Sequence, residues 1–362
     1  MPRPPRNTKH PNIRAVAELA QLSPTTVSLA LRNQDSIPPE TRERVFAAAA
    51  KLNYKYEPRA SKKAAITPIR NLLYVVNDYG DTPALSNPFY GAILNGAVEA
   101  SPSFNSYVQA AILQHDHSLN DPLPKVLCNK PDGILLASPY PAALVEKVAS
   151  IVSCPLVLID NLIPGSPHDT IMNDDFGGAY RATQYLQELG HRYIFMVIGR
   201  LKKVGVAPDV PPSITDRYRG YTTAMLDAGC SPFPAAEMPI DYEMTSPDFK
   251  ELPQWLSNLL ARSPRPTALF CNIDFYATRI ISALGMLGYR VPEDISVVGF
   301  DDLDIAQMIH PQLTTVRVDR NAMSRVAMQR LIARIEGDGG PPLTIHIGAR
   351  LIVRESAASI SA

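Results

Sequence analysis

From residue 69 onward the chain alternates short, almost unbroken apolar runs with segments of helical periodicity. This alternation constrains the fold more than any other feature. The runs IRNLLYVV (69–76), SYVQAAIL (106–113), DGILLAS (132–138), PLVLID (155–160), YIFMVIG (193–199), ALFCN (268–272), ISVVGFD (295–301), TTVRV (314–318) and ARLIVRE (349–355) read as strands. Helical patterns near 89–100, 141–151, 176–189, 216–229, 274–288 and 320–336 separate them. Strands this apolar are buried on both faces, and the intervening helices supply the crossovers of parallel sheets. About 290 residues exceed what one doubly wound sheet needs, so two lobes are expected.

The first 65 residues have another texture. They hold twelve Lys/Arg against five Asp/Glu, whereas the whole chain carries 35 of each sign and is formally neutral. A head of +7 on a body of −7 suggests a polyanion-binding module joined to something with a different task. Residues 1–12 are polar and Pro-rich. Asn12 can cap a helix beginning at Ile13, with Ile13, Val16, Ala17 and Ala20 along one face. Leu22 fills a short turn, and Ser23-Pro24 supplies the cap and first position of a second helix. That helix buries Val27, Ala30 and Leu31 and displays Pro24, Thr25, Thr26, Ser28, Leu29 and Arg32. Two short helices joined in this way form a helix-turn-helix, whose second helix enters the DNA major groove. A third helix follows Pro38-Pro39, with Thr41, Arg42 and Arg44 outward and Val45, Ala48, Ala49 and Leu52 inward. Residues 57–68 (EPRASKKAAITP) read as a basic linker.

Other function classes receive little support. The sequence has no apolar run of about 18 residues that would span a membrane. Its opening, MPRPPRNTKHPN, lacks the apolar stretch of an export signal, so a cytoplasmic location is expected. Cys128, Cys154, Cys230 and Cys271 are scattered and read as reduced core thiols. No glycine-rich nucleotide loop follows a strand, and no GxSxG elbow occurs. His115-Asp116-His117 lies in a polar stretch without further ligands and reads as solvated, not as a metal site. No cofactor and no enzymatic activity are expected.

NIRAVAELAQLSPTTVSLALRN (12–33), followed by IPPETRERVFAAAAKLNY (37–54), resembles the DNA-binding head of the LacI/GalR family of bacterial transcription regulators. The resemblance continues through NPFYGAI (87–93), PLVLIDN (155–161), NDDFGGAYRATQYLQELGHRYI (173–194), DRYRGY (216–221), VPEDISVVGFDD (291–302), HPQLTTVRVDR (310–320) and ARLIVRES (349–356). It implies an α/β protein with an all-α helix-turn-helix head at 1–56, a hinge at 57–68, and a two-lobed, periplasmic-binding-protein-like core with parallel sheets at 69–362. The first lobe would span about 69–172 and 318–346, and the second about 173–317 and 347–358. Pro24, Thr25 and Leu29 match positions that touch base edges, and Pro24 and Leu29 can offer only apolar contact. Ser23, Thr26, Ser28 and Arg32 match phosphate-holding positions. Phe89, Tyr90, Asp160, Arg217, Asp274 and Asp301 match or neighbour effector-contacting positions. Carboxylates, an arginine fork and aromatic faces together suit a polyhydroxylated ligand such as a sugar or sugar derivative. The resemblance further implies a homodimer on a pseudo-palindromic operator, with repression as the family default.

The sequence departs from the family pattern at three places. Gln21 stands in the tight turn where Gly or Asn is usual, at a cost of about 1 kcal/mol. Lys63 stands where the family's hinge places a leucine wedge in the minor groove; it can neutralise phosphate but cannot unstack bases. Ile273 stands where an Asn often bonds the sugar. Three rival readings are a regulator that has lost its effector, an exported sugar-binding protein, and an α/β enzyme with a fused DNA-binding head.

Overall fold

The computed structural model of the chain describes residues 12–31, 37–54, 69–78, 87–114, 127, 130–200, 210–241 and 250–360. The chain divides into two compact units, Met1–Pro68 and Ile69–Ala362.

The first unit holds α1 (Ile13–Ala20), α2 (Pro24–Leu31) and α3 (Pro39–Lys51). The Asn12 side chain caps α1, accepting from the amides of Arg14 and Ala15 at 3.1 Å each. Gln21 ends α1 in the left-handed conformation (φ 54°, ψ 47°), as expected for this turn. Ser23 Oγ accepts the Thr26 amide at 3.1 Å, capping α2 ahead of Pro24. Val16, Ala17, Ala20, Val27, Ala30, Ile37, Val45, Ala48 and Ala49 make the core; Ile13, Leu31 and Leu52 pack around it, partly buried. Arg42 departs from its expected exposure: it is half-buried, and its Nε donates to the Ile37 carbonyl. Arg44 donates to the Ala20 carbonyl at 2.9 Å, tying α3 to the last turn of α1.

The second unit holds, in chain order, β1 (Arg70–Asp78), α4 (Pro88–Ala100), β2 (Ser106–Gln114), β3 (Gly133–Ala137), α5 (Ala142–Ile151), β4 (Leu156–Ile159), β5 (Asp169–Asn173), α6 (Asp175–Glu188), β6 (Ile194–Arg200), α7 (Pro212–Asp227), β7 (Ala236–Asp241), α8 (Leu252–Leu260), β8 (Ala268–Cys271), α9 (Asp274–Met286), β9 (Ser296–Asp301), α10 (Ile305–Met308), β10 (Thr314–Arg317), α11 (Arg320–Ile335), β11 (Thr344–Ile347) and β12 (Arg350–Ile352). Two six-stranded sheets result, ordered β11-β5-β4-β3-β1-β2 and β12-β10-β9-β8-β6-β7. Every pairing is parallel except that of β12 with β10. β12 reaches this antiparallel edge position from β11 of the other sheet after only Gly348 and Ala349.

Period-two alternation divides each strand between two apolar clusters. Leu72, Tyr74 and Val76 of β1 face the cluster that runs between the sheets, while Leu73 and Val75 pack outward against Val145 and Val148 of α5. Ala268 and Phe270 of β8 face the shared cluster; Leu269 and Cys271 face α8 and α9. Helices α6 and α7 approach closely at Gly220, where a Cβ would lie 2.3 Å from the Phe176 carbonyl oxygen.

The sequence pattern did not reveal β5, β7, β11, α8 or α10. β5 carries the fully buried Asp169, which breaks its apolar run. Asp169 accepts from Arg330 at 3.0 Å and from Arg334 at 2.7 and 2.9 Å, which removes the penalty of placing a carboxylate there. Helix α7 begins at Pro212 rather than near 216, with the proline at a position that tolerates its missing N–H.

Candidate functional site

In the head, α2 exposes Pro24 and Thr25 and leaves Thr26, Ser28 and Leu29 half-buried. Ser23 Oγ lies 2.8 Å from Thr26 Oγ1, so both hydroxyls also serve the helix start. Leu29 packs against the edge of the head core. Arg32 and Lys63 lie outside the described residues.

In the body, the strand order of each sheet reverses, between β1 and β3 in one and between β6 and β8 in the other. Ligands of open α/β sheets bind beyond the carboxyl ends of strands at such reversals. Asn272 follows β8 directly, and α4, with Phe89 and Tyr90, is the first helix after β1. Asp160 follows β4, and Asp301 ends β9. Asp160 (φ 56°) and Asp301 (φ 108°) both have left-handed backbones, a conformation that Asp adopts more readily than most residues.

Two hydrogen-bonded groups form at these strand ends. In the first, the Tyr74 hydroxyl donates to the Tyr90 carbonyl at 2.9 Å, and the Tyr90 hydroxyl donates to Asp160 Oδ2 at 2.8 Å. Phe89 packs edge-on against Tyr90, with ring centroids 5.2 Å apart. The second group centres on Arg217, which is 5% exposed. Its Nε donates to Asp175 Oδ1 at 2.8 Å, its Nη2 to Asp301 Oδ1 at 3.3 Å, and its Nη1 to the Asn272 carbonyl. The guanidinium carbon lies 3.8 Å from the centre of the Phe300 ring.

The two groups share one electrostatic environment. Burial lifts the Asp160 carboxyl to about 7; the Asp175 charge adds to the rise, while the Tyr90 hydrogen bond and Arg217 oppose it. Burial also lifts Asp301 to about 6 against the pull of Arg217 and Arg320, and raises Asp175 against Arg217. Asp160 Oδ1, Asp175 Oδ2 and both side-chain atoms of Asn272 are buried without a hydrogen-bond partner among the described residues.

Tyr90, Asp160, Arg217 and Asp301, all selected from the sequence, therefore meet in one neighbourhood. Asp274 sits apart from them in role: fully buried, it accepts from the Leu303 amide at 2.7 Å and Thr315 Oγ1 at 2.5 Å, bracing β10 and the turn after β9. Its close fit leaves room only for Gly299, where a Cβ would lie 2.3 Å from Asp274 Oδ1. Ile273 packs partly buried against the α8–α9 cluster. Sequence reasoning missed Asp175 and Asn272. The rule that selected Asp274, a polar residue just past an apolar strand, applies equally to Asn272. Asp175 stood within NDDFGG with nothing to separate it from its neighbour Asp174, which caps α6.

Residues 12–56 match the family "Bacterial regulatory proteins, lacI family", and residues 183–357 match "Periplasmic binding protein-like domain". The chain is 31% identical over 353 residues to the HTH-type transcriptional repressor PurR of Erwinia tasmaniensis, covering 96% of each chain. It is 29% identical over 350 residues to the ribose operon repressor of Haemophilus influenzae, covering 95% of this chain and 98% of that one. Among solved structures, a complex of the transcriptional regulator CelR with cellobiose superposes with a TM-score of 0.64 at 26% identity, covering 96% of this chain and 99% of that one.

Proposed function

The chain belongs to the lacI family of bacterial regulatory proteins, and from this premise we propose that it is a repressor whose hold on operator DNA is set by a small molecule bound between its two sheets. Residues 1–56 read the operator, 57–68 connect, and 69–362 bind the effector and a second copy of the chain. Pro24, Thr25 and Leu29 meet base edges; Ser23, Thr26, Ser28 and Arg32 hold phosphates; Lys63 adds charge at the hinge. The effector lies against Phe89, Tyr90, Asp160, Arg217 and Asp301, joined by Asp175 and Asn272. Asp274 holds the floor of the site.

The observation that carries this reading is the set of buried, unpartnered polar atoms on Asp160, Asp175 and Asn272 beside an arginine that is itself held rigidly. Buried polar groups without partners are costly and rare, and they cluster where a ligand completes their hydrogen bonds. Asn272 supplies an amide one residue before the position where Ile273 replaces one. A ligand shifts the regulator only through its different affinity for the two lobe arrangements. A relative named ribose operon repressor, and a structural neighbour in complex with cellobiose, support a small polar effector.

The test is selection of duplexes bound by the full-length protein from a random pool, repeated with small-molecule extracts. The reading expects a pseudo-palindromic consensus and an extract fraction that alters binding. Absence of any sequence preference overturns it.

A further inference from the structure

Resting on the effector reading above, we propose that the ligand of this site is a polyhydroxylated molecule carrying a protonated amine, an amino sugar or amino-polyol, whose ammonium group lies between Asp160 and Asp175.

Arg217, the group that would ordinarily offer its fork to sugar hydroxyls, is built into the wall. Its donors reach Asp175, Asp301 and the Asn272 carbonyl, and its face lies on Phe300. The buried atoms of the site left without partners among the described residues are acceptor-rich: Asp160 Oδ1, Asp175 Oδ2 and Asn272 Oδ1, against one donor, Asn272 Nδ2. A ligand completing this set must bring donors.

The charges around the site point the same way. Among the described residues, Asp160, Asp175 and Asp301 share Arg217 as their common cation. Arg320, which also acts on Asp301, donates to the main-chain oxygens of Asp301 and Asp302. Asp302 is neutralised by Arg317 and Arg354, Asp174 by Arg181, and Asp216 by Arg219. Asp274, behind Asp301, is met by Thr315 and the Leu303 amide, which bring no charge. Tyr74 and Tyr90 contribute hydroxyls only, and burial and the Asp160 charge keep the Tyr74 hydroxyl protonated. Among the described residues, the cluster therefore carries more carboxylate than cation. A ligand with hydroxyls alone leaves that surplus to be met by proton uptake, whereas an ammonium removes it directly.

Calorimetric titration of the full-length protein with glucosamine against glucose, and galactosamine against galactose, tests this below and above the pH at which Asp160 titrates. The amine of at least one pair is expected to bind at least about tenfold more tightly than its hydroxyl partner. Below that pH its binding releases a proton from the protein, and its affinity rises by up to about tenfold per pH unit. In Asp175→Asn, melting like the parent by circular dichroism, the advantage of the amine shrinks at least about tenfold. In Asp160→Asn the pH dependence near 7 weakens, leaving the share that Asp301 and Asp175 contribute. Glucose or galactose binding as tightly as its amine overturns the proposal and leaves the effector reading intact. An amine affinity that is flat or falls as the pH rises toward the value at which Asp160 titrates, where the sugar ammonium is still protonated, overturns it too. Silence from all four sugars also overturns it, and the effector reading is then decided by whether extract fractions change DNA binding.

Discussion

At the scale of single residues, Asp160 shows how a site can be held ready at a cost to the fold. Its carboxyl titrates near 7 in the folded protein, above its value in the unfolded chain, chiefly because it is buried. The folded state therefore keeps a proton that the unfolded chain gives up. The destabilisation is absent below about pH 4, grows as the pH rises, and is complete above about pH 7. Asp160→Asn should raise the ligand-free protein's resistance to urea near pH 8 by on the order of 1–3 kcal/mol and leave it unchanged near pH 4. Lys63 gives a second prediction. Lys63→Leu should lower the steepness of log affinity for DNA against log salt by about 0.9, read by fluorescence anisotropy in a salt series. Tyr90, Asp160, Arg217 and Asp301 were legible in the sequence because the family resemblance ties the position of each to the effector. Asp175 and Asn272 were not, because their roles arise from what Arg217 touches across 42 and 55 residues of chain.

At the scale of elements, strands with unbroken apolar runs were legible and those carrying polar residues were not. β3, β4, β8 and β9 are buried throughout and appear in the sequence as clean runs. β5 and β11 sit at one end of their sheet, where Asp169 and the alternating exposure of β11 mask the pattern. Asp169 fastens this end: it receives Arg330 and Arg334 from α11 and the Leu343 amide ahead of β11. Burial alone would raise its pKa, but bonds from Arg334, the Leu343 amide and Arg330 hold it below the usual carboxylate value. The stability it adds is therefore present above the ordinary carboxylate pKa and is lost as the pH falls through its own. Asp169→Ala should cost about 3 kcal/mol in urea unfolding at neutral pH, since Arg334 loses its anion and Arg330 keeps only Asp338. The variant should also lose less stability on acidification than the parent.

At the scale of the whole molecule, β2 forms one edge of its sheet and exposes Tyr107 and Ile112, beside α4 with its exposed Val98. An apolar sheet edge left open is a pairing hazard unless another surface covers it. In the proposed dimer, a second copy of the chain would meet that need and supply the two heads a pseudo-palindrome requires. Ile112→Asp should shift the sedimenting species toward monomer and weaken binding to a two-half-site duplex at least about tenfold, with little change in melting temperature.

The chain passes between its two sheets three times, at 173–175, 317–320 and 347–350. Arg181 joins the first and third passages, bonding Asp174 at 3.0 Å and the Ala349 carbonyl at 2.7 Å. Arg320, at the end of the second, holds the main chain of Asp301 and Asp302. Ser324, one turn along α11, reaches the Ile93 carbonyl of α4 at 2.8 Å. Two passages thus act as a single pin. The second, at 317–320, works as a lever arm: a pull on Asp301 reaches the root of α11 through Arg320 and α4 through Ser324, next to the very surface where two copies of the chain would meet.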